Sequence, residues 1–472
     1  MSFKLDKYFW CVFIALFAIL FLECSIHWTY KVFGRVNFDE ISLTLTMGLG
    51  GTDSSFYIDF AKRVVLRALF WAFGLGIICR LLKKYVIVTW VAFIVVAGIL
   101  CGRLMHNNVQ SGSFFNFSTS TFYETEYVSP IEAEISFPNK RNVLVIMLES
   151  MEKAYASEEL FGSGGLTPNI TQLERNNVSF EHYNSIAGMT RTISAIIGVT
   201  TGLPLFYKNH MNVKKMLGAT GVGEVFSTHG YQTWAMFPAS GQFSQKAELL
   251  KRMGMQHVID GPQLLAAMKQ KPELQPFDGL DDYAFFQEAR PIVSDIISQK
   301  QPYFIFMETV NTHVPGFYPS ECSEMGFGKN NMKNVIRCDD KIIADFVKWF
   351  IAKDPTAVVI LINDHTMHVN KSDIMTKLAQ VSDRSLNNAF INTNIFEQND
   401  KDRPISALDF FPSIIEAAGG EIKGCRLGLG TSLSSRCKGI QTLREKYSDA
   451  ELEKLMQQKN KLYFQLVWGG NE

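Results

Sequence analysis

Neither sign of charge dominates this chain: 46 Lys and Arg are matched by 46 Asp and Glu over 472 residues, and His is scarce at nine. No basic stripe runs through it, so the electrostatic footprint of a nucleic-acid binder is missing and no nucleic acid is expected as a partner. No internal repeat is present. None of the eight cysteines stands in CxxC-type spacing, which argues against zinc held by thiolates. The first apolar stretch lacks a small-residue cleavage site, so it reads as a retained helix, with a signal peptide as the alternative.

What is present divides sharply. Residues 1–105 are mostly apolar and hold three long stretches, at about 8–26, 64–82 and 85–105. Each reaches the roughly 20 residues that a helix needs to span a bilayer. Glu23 and Arg67 lie inside the first two. Lys4 and Lys7 precede the first span, and Arg80, Lys83 and Lys84 fill the connection between the second and third. By the positive-inside rule these ends are cytoplasmic and everything after Met105 lies outside, although Lys31, Arg35, Lys62 and Arg63 flank the outer loop. The expectation is a multi-pass protein of a bacterial inner membrane with its large domain in the periplasm. Cys322/Cys338 and Cys425/Cys437 form two close pairs in that domain, which fits disulfides in an oxidising compartment, with free buried thiols as the alternative.

Residues 106–139 are polar and Ser/Thr-rich and read as a linker. Residues 140–440 alternate strand-like and helix-like runs, the pattern of a parallel α/β sheet. Strands are predicted at Val143–Leu148, Gln232–Phe237, Tyr303–Thr309 and Val358–Ile362, and helices at Pro168–Asn176, Glu224–His229, Tyr283–Gln299 and Lys341–Ala352. The tail, 441–472, is charged and predicts a surface helix.

The most telling run is Asn142–Ser150, NVLVIMLES, in which six apolar residues end abruptly in Glu149 and Ser150. Such a run suits a central strand buried on both faces. Ligands of open α/β sheets gather beyond the carboxyl ends of the strands, which places Glu149 where chemistry happens. Ala357–His365, AVVILINDH, repeats the pattern and ends in Asp364-His365. Glu, Asp and His at one sheet edge suit a divalent cation such as Mn²⁺, Mg²⁺ or Zn²⁺; each alone has a structural explanation as a cap or turn residue. Ser185–Leu205 adds Thr190, Arg191 and Thr192 entering a helix that ends near Gly202-Leu203-Pro204. A hydroxyl at a helix N-terminus is placed to become a nucleophile when a cation lowers its pKa, or is simply an N-cap.

NVLVIMLES, GLTPNITQLERNNVSFEHYNS, a Thr-bearing helix start and a late Asp-His together resemble the alkaline phosphatase/sulfatase superfamily. Within it, the chain is similar to the membrane-anchored transferases that include lipoteichoic acid synthases and phosphoglycerol transferases. The narrower likeness, to the phosphoglycerol transferase I type, rests on Gly241–Val258, on Asp364–Asn370 with Asp383-Arg384 and Asn388-Ala389-Phe390, and on Leu408–Gly430. The resemblance implies a sulfatase-like sheet with helices on both faces behind a membrane anchor. It implies a metal, Mn²⁺ by preference, held by Glu149, Thr192, Asp364 and His365. Ten residues back from the helix-closing Gly202 is Thr192, the implied nucleophile; alignment on Gly-x-Thr gives Thr190 instead. His313 is implied to contact the substrate phosphate or protonate the leaving group, or is a plain loop His before Pro315. Arg191 and Lys246 are implied phosphate partners, with a solvated Lys as the alternative. His368 is expected at the surface.

The implied reaction moves phosphoglycerol from phosphatidylglycerol in the lipid bilayer to a periplasmic glycan through a covalent threonine. Lipoteichoic acid synthases carry Trp and Arg where this chain has Ser244 and Lys246, which makes that polymerase less apt. Phosphoethanolamine transferases carry a Cys-Gly-Thr-x-Thr-Ala motif, whereas this chain has Ala187-Gly188-Met189-Thr190-Arg191-Thr192. Phosphoethanolamine transfer to lipid A or lipooligosaccharide remains the alternative, with a non-catalytic regulatory membrane protein of the same fold as the third reading.

Overall fold

A computed structural model describes residues 6–33, 36–37, 54–81, 90, 97–98, 102, 109–110, 119–206, 218–314, 316–322, 331–367, 373–397 and 401–469. The run Val143–Leu148 forms strand β1. Its side chains alternate between two cores. Val143, Val145 and Met147 enter one, and Leu144, Ile146 and Leu148 enter the other. This alternation explains why the run tolerates no polar residue: a strand covered on both faces has no solvent side.

The remaining strands of the main sheet are β2 (Gln232–Met236), β3 (His257–Ile259), β4 (Tyr303–Glu308), β5 (Val358–Asn363) and β6 (Asn388–Ile391). They lie in the order β6-β5-β1-β4-β2-β3. All neighbours are parallel except β6, which pairs antiparallel with β5. Helices Thr192–Thr201, Val222–Thr228 and Phe410–Ala417 bury their apolar side chains in the core on one face; Asp282–Ser298 and Met332–Lys353 do so on the other. The expected α/β sheet with helices on both faces is therefore what forms.

Three differences from the predicted elements have local causes. The helix predicted from Lys341 starts at Met332, because Asn331 caps it by accepting a hydrogen bond from the Lys333 N–H at 2.9 Å. The tail is not one surface helix. It forms Leu443–Lys446, Asp449–Gln457 and Lys461–Trp468, and Leu452, Met456, Tyr463, Val467 and Trp468 join the main core. Its charges mask an apolar stripe at near-helical spacing. The stretch expected as a linker supplies a helix, Phe122–Glu126, whose Phe122 and Tyr123 are buried there too. Tyr123 donates from its hydroxyl to the Met456 carbonyl at 2.8 Å, and its ring lies 4.8 Å from that of Tyr463.

Cys322–Cys338 and Cys425–Cys437 are joined as disulfides, each with Cα atoms 5.7 Å apart. At the N-terminus, helix Lys7–Phe33 packs against a second helical stretch, Ser54–Leu81, which has a π-helical turn at Ala61–Leu66. Lys7–Thr29 and Tyr57–Leu81 are long and apolar enough to cross a membrane. The third expected span, 85–105, lies outside the described residues apart from positions 90, 97, 98 and 102. His368 lies outside them as well.

Candidate active site

The carboxyl ends of β5, β1 and β4 lie side by side, and the chain turns sharply as it leaves each. Glu149 follows β1, and Ser150 beside it holds φ at +50°, a left-handed value rare for a side-chain-bearing residue. Three backbone-anchored contacts hold that turn. The Ser150 N–H donates to Asp364 Oδ1 at 2.8 Å, the Met151 N–H donates to Asn363 Oδ1 at 2.5 Å, and the Glu149 N–H donates to Thr309 Oγ1 at 2.9 Å. The strand ends therefore fix one another.

Into this edge points the start of helix Thr192–Thr201. Its N-cap, Arg191, donates its backbone N–H to Ser194 Oγ at 3.1 Å, and Gly202 closes the helix with φ +66°. Thr192 Oγ1 donates to Glu149 Oε2 at 3.1 Å and lies 3.2 Å from His365 Nε2. One hydroxyl proton thus has two acceptors within reach. These contacts place the Thr192 hydroxyl at the centre of the site.

Glu149, Asp364 and His365 bring one ligand atom each to within 4.8 Å of one another. His365 Nδ1–H donates to the Thr366 carbonyl at 2.9 Å, which leaves Nε2 as the lone-pair nitrogen facing the site. Asp364 Oδ1 accepts from Ser150 and His365 N–H groups, whereas its buried Oδ2 has no hydrogen-bond donor. Burial pushes the Glu149 carboxyl up, but His313 and His365, with hydrogen bonds from Ser150 and Thr192, outweigh it and hold the group below its ordinary value. Burial and the charge of Glu149 drive Asp364 well above its own. Burial keeps the His365 imidazole neutral by lowering its value. Two buried carboxyl groups in conflict, an unsatisfied oxygen, a neutral imidazole nitrogen and a hydroxyl make a donor set that fits a divalent cation.

The other expected residues surround this centre. His313 follows β4, donates from Nδ1–H to the Val314 carbonyl at 2.9 Å and packs edge-on against Phe277 at 4.8 Å. It is close enough to act electrostatically on Glu149 and His365. Arg191 acts on His365 in the same way. Lys246 is not a solvated lysine: it is buried under the Phe237 ring at 5.0 Å and ion-paired with Glu308. Burial raises the Glu308 carboxyl, against the pull of Lys246. Sequence reasoning passed over Glu308, although it ends an apolar strand in the same way as Glu149 and Asp364. It also passed over Thr312, whose hydroxyl donates to the Glu149 carbonyl.

Residues 141–420 match the sulfatase family model. The chain belongs to the sulfatase family. It is 27% identical over 242 residues, 48% of this chain, to phosphoglycerol transferase I of Escherichia coli, and it spans 31% of that relative's length. Two solved structures share the fold. A protein of the alkaline phosphatase superfamily from Vibrio parahaemolyticus has a TM-score of 0.51 at 19% identity, over 63% of this chain and 70% of that one. The integral membrane protein lipooligosaccharide phosphoethanolamine transferase A from Neisseria meningitidis has a TM-score of 0.50 at 10% identity, over 87% of this chain and 84% of that one.

Proposed function

We propose that this sulfatase-family chain is a multi-pass protein of a bacterial inner membrane whose periplasmic domain transfers phosphoglycerol from phosphatidylglycerol to a glycan through a phosphothreonine-type ester on Thr192. The observation that carries the reading is the Thr192 hydroxyl, poised at a helix start between Glu149 and His365. The sequence relationship to phosphoglycerol transferase I supports the donor, and the apolar helices support a lipid-side location.

A divalent cation, Mn²⁺ in this reading, held by Glu149, Asp364, His365 and Thr192 would offset negative charge developing on the phosphoryl group. Thr192 Oγ1 attacks phosphorus and forms the Thr–O–P bond, and its proton passes to the carboxylate that already accepts it, Glu149. The bond from phosphorus to the diacylglycerol oxygen breaks, and His313 Nε2, the ring nitrogen not engaged by Val314, protonates that oxygen. A glycan hydroxyl then attacks the same phosphorus and gives its proton to His313, while Thr192 recovers its own. Lys246 and Arg191 supply positive charge for the phosphate oxygens. Two half-reactions through one ester predict ping-pong kinetics.

Phosphoethanolamine transfer is the second reading, favoured by a structural likeness that extends over 87% of this chain. A regulatory, non-catalytic member has no need of the converging Glu149, Thr192, Asp364 and His365, so their meeting speaks against it. Membranes supplied with head-group-labelled phosphatidylglycerol or phosphatidylethanolamine separate these readings: glycerol label should reach glycan, and a glycerophosphate adduct should be found on Thr192. Ethanolamine label in the product would move the donor, an adduct on Thr190 would move the nucleophile, and no adduct with no label transfer would overturn the enzyme reading.

A further inference from the structure

The segment Thr309–His313 is fastened at both ends of its turn. On one side it grips Glu149, through Thr309 Oγ1 accepting from the Glu149 N–H and Thr312 Oγ1 donating to the Glu149 carbonyl. On the other side it hangs on a buried carboxyl group. Asp282 accepts from the Val310 N–H at 2.9 and 3.0 Å and from the Asn311 N–H at 2.7 Å. Its own N–H donates to Asn311 Oδ1 at 3.1 Å. Asn311 completes the clasp by donating from Nδ2 to Asp339 Oδ1 at 3.2 Å. Asp282 and Asp339 are both fully buried, and their carboxyl groups meet. Asp339 Oδ2 finds no donor.

Two ionised carboxylates in contact without water would repel strongly. Both oxygens of Asp282 accept backbone N–H groups, whereas Asp339 Oδ2 accepts none, so a proton held between the two carboxyl groups satisfies an oxygen that otherwise has no partner. We propose that Asp282 and Asp339 share one proton and act together as positioning residues, holding Thr309–His313 so that Thr312 meets Glu149 and His313 faces the site. Retention of that proton is favoured by burial, which pushes Asp339 up to about 7 and Asp282 well above its ordinary value. The groups around the pair are themselves acidic. Asp281 and Asp340 act on Asp339, Glu321 lies beyond Asp281, and Arg337 acts on Asp340. Because both folded-state values are raised, the clasp is tightest at low pH and weakens as pH rises; Asp339 titrates first, at about 7, and Asp282 above it.

The link from clasp to turnover rests on the role proposed for His313; amide exchange does not. In the full-length protein in detergent, protection of the Val310 and Asn311 amides, corrected for intrinsic exchange, should fall between pH 5.5 and 8.5 by at least about 30-fold, at tenfold or more per pH unit up to about pH 7. Asp339→Asn, which supplies a permanent donor, should lose less protection over that range and soften any alkaline decline in kcat while leaving KM alone. Protection in the parent that is equal at the two pH values overturns the shared proton, whether or not the variant folds. So does a decline as steep in Asp339→Asn as in the parent. Loss of label transfer with intact exchange behaviour would instead count against the proposed reaction.

Discussion

Replacing Asp364 by Asn should make the metal-free protein more stable and the metal-loaded protein worse. Asp364 Oδ1 accepts two backbone N–H groups, and an amide oxygen can keep both. Oδ2 accepts none, so an NH₂ group in its place loses no partner and gains His365 Nε2, 3.3 Å away, as an acceptor. The ligand atoms of Glu149 and Asp364 are within 4.8 Å; at an effective dielectric constant of about 20, two full charges at that distance repel by about 3.5 kcal/mol. Part of this is already relieved by protonation of Asp364, which leaves about 1–3 kcal/mol for the substitution to recover, at roughly 2–4 °C per kcal/mol in thermal unfolding. The gain has a sign with pH. Because the folded-state value of Asp364 is raised, its neutral form helps the parent at acid pH and that help is lost as pH rises, so the variant's advantage should widen on the alkaline side. Addition of Mn²⁺ should reverse the order: a cation at 100 times its Kd adds about 2.7 kcal/mol to the parent, and the variant should respond weakly. Differential scanning fluorimetry of both proteins, in EDTA and in a Mn²⁺ series, measures this. Equal melting temperatures in EDTA together with equal Mn²⁺ shifts would refute the donor set.

Two further perturbations test other parts of the architecture. Lys246→Met should cost about 3–5 kcal/mol in urea unfolding by leaving Glu308 buried without its cation, and the double change with Glu308→Leu should recover most of it; an undiminished loss in the double variant would mean that packing, not charge, governs the site. Opening Cys425–Cys437 with paired Ser substitutions should cost about 3 kcal/mol, as expected for a bridge with a sequence separation of 12, and reducing agent should then no longer affect that region; an unchanged urea midpoint would show that the closed loop contributes nothing.

The strands that carry the site were readable because burial on both faces leaves a signature that nothing else in the chain imitates. Val143–Leu148 is an unbroken apolar run followed by Glu149, Val358–Ile362 is another that leads through Asn363 to Asp364, and the spacing back from Gly202 pointed at Thr192. What escaped notice depends on partners distant in sequence. His257–Ile259 is too short, and Asn388–Ile391 too mixed, to announce a strand; the latter is fixed by pairing with β5 and by Asn388 donating to the Phe180 carbonyl. Lys246 was singled out as a phosphate partner, but nothing local reveals that Glu308 lies across from it. The clasp under His313 joins residues from three elements, and no motif spans them.

The meeting of Tyr123 with Met456 and Tyr463 bears on where this domain can be cut. Thr119 bridges to Lys459, and Glu126 is paired with both Arg426 and Lys446, so the two ends of the folded unit are sewn together far from β1. A soluble fragment trimmed to the match with the family, 141–420, would discard both halves of that seam, lose the core residues Leu427 and Leu429, and leave Phe206 without Tyr463. One running from 119 to 469 keeps the seam closed and leaves out the two apolar N-terminal helices.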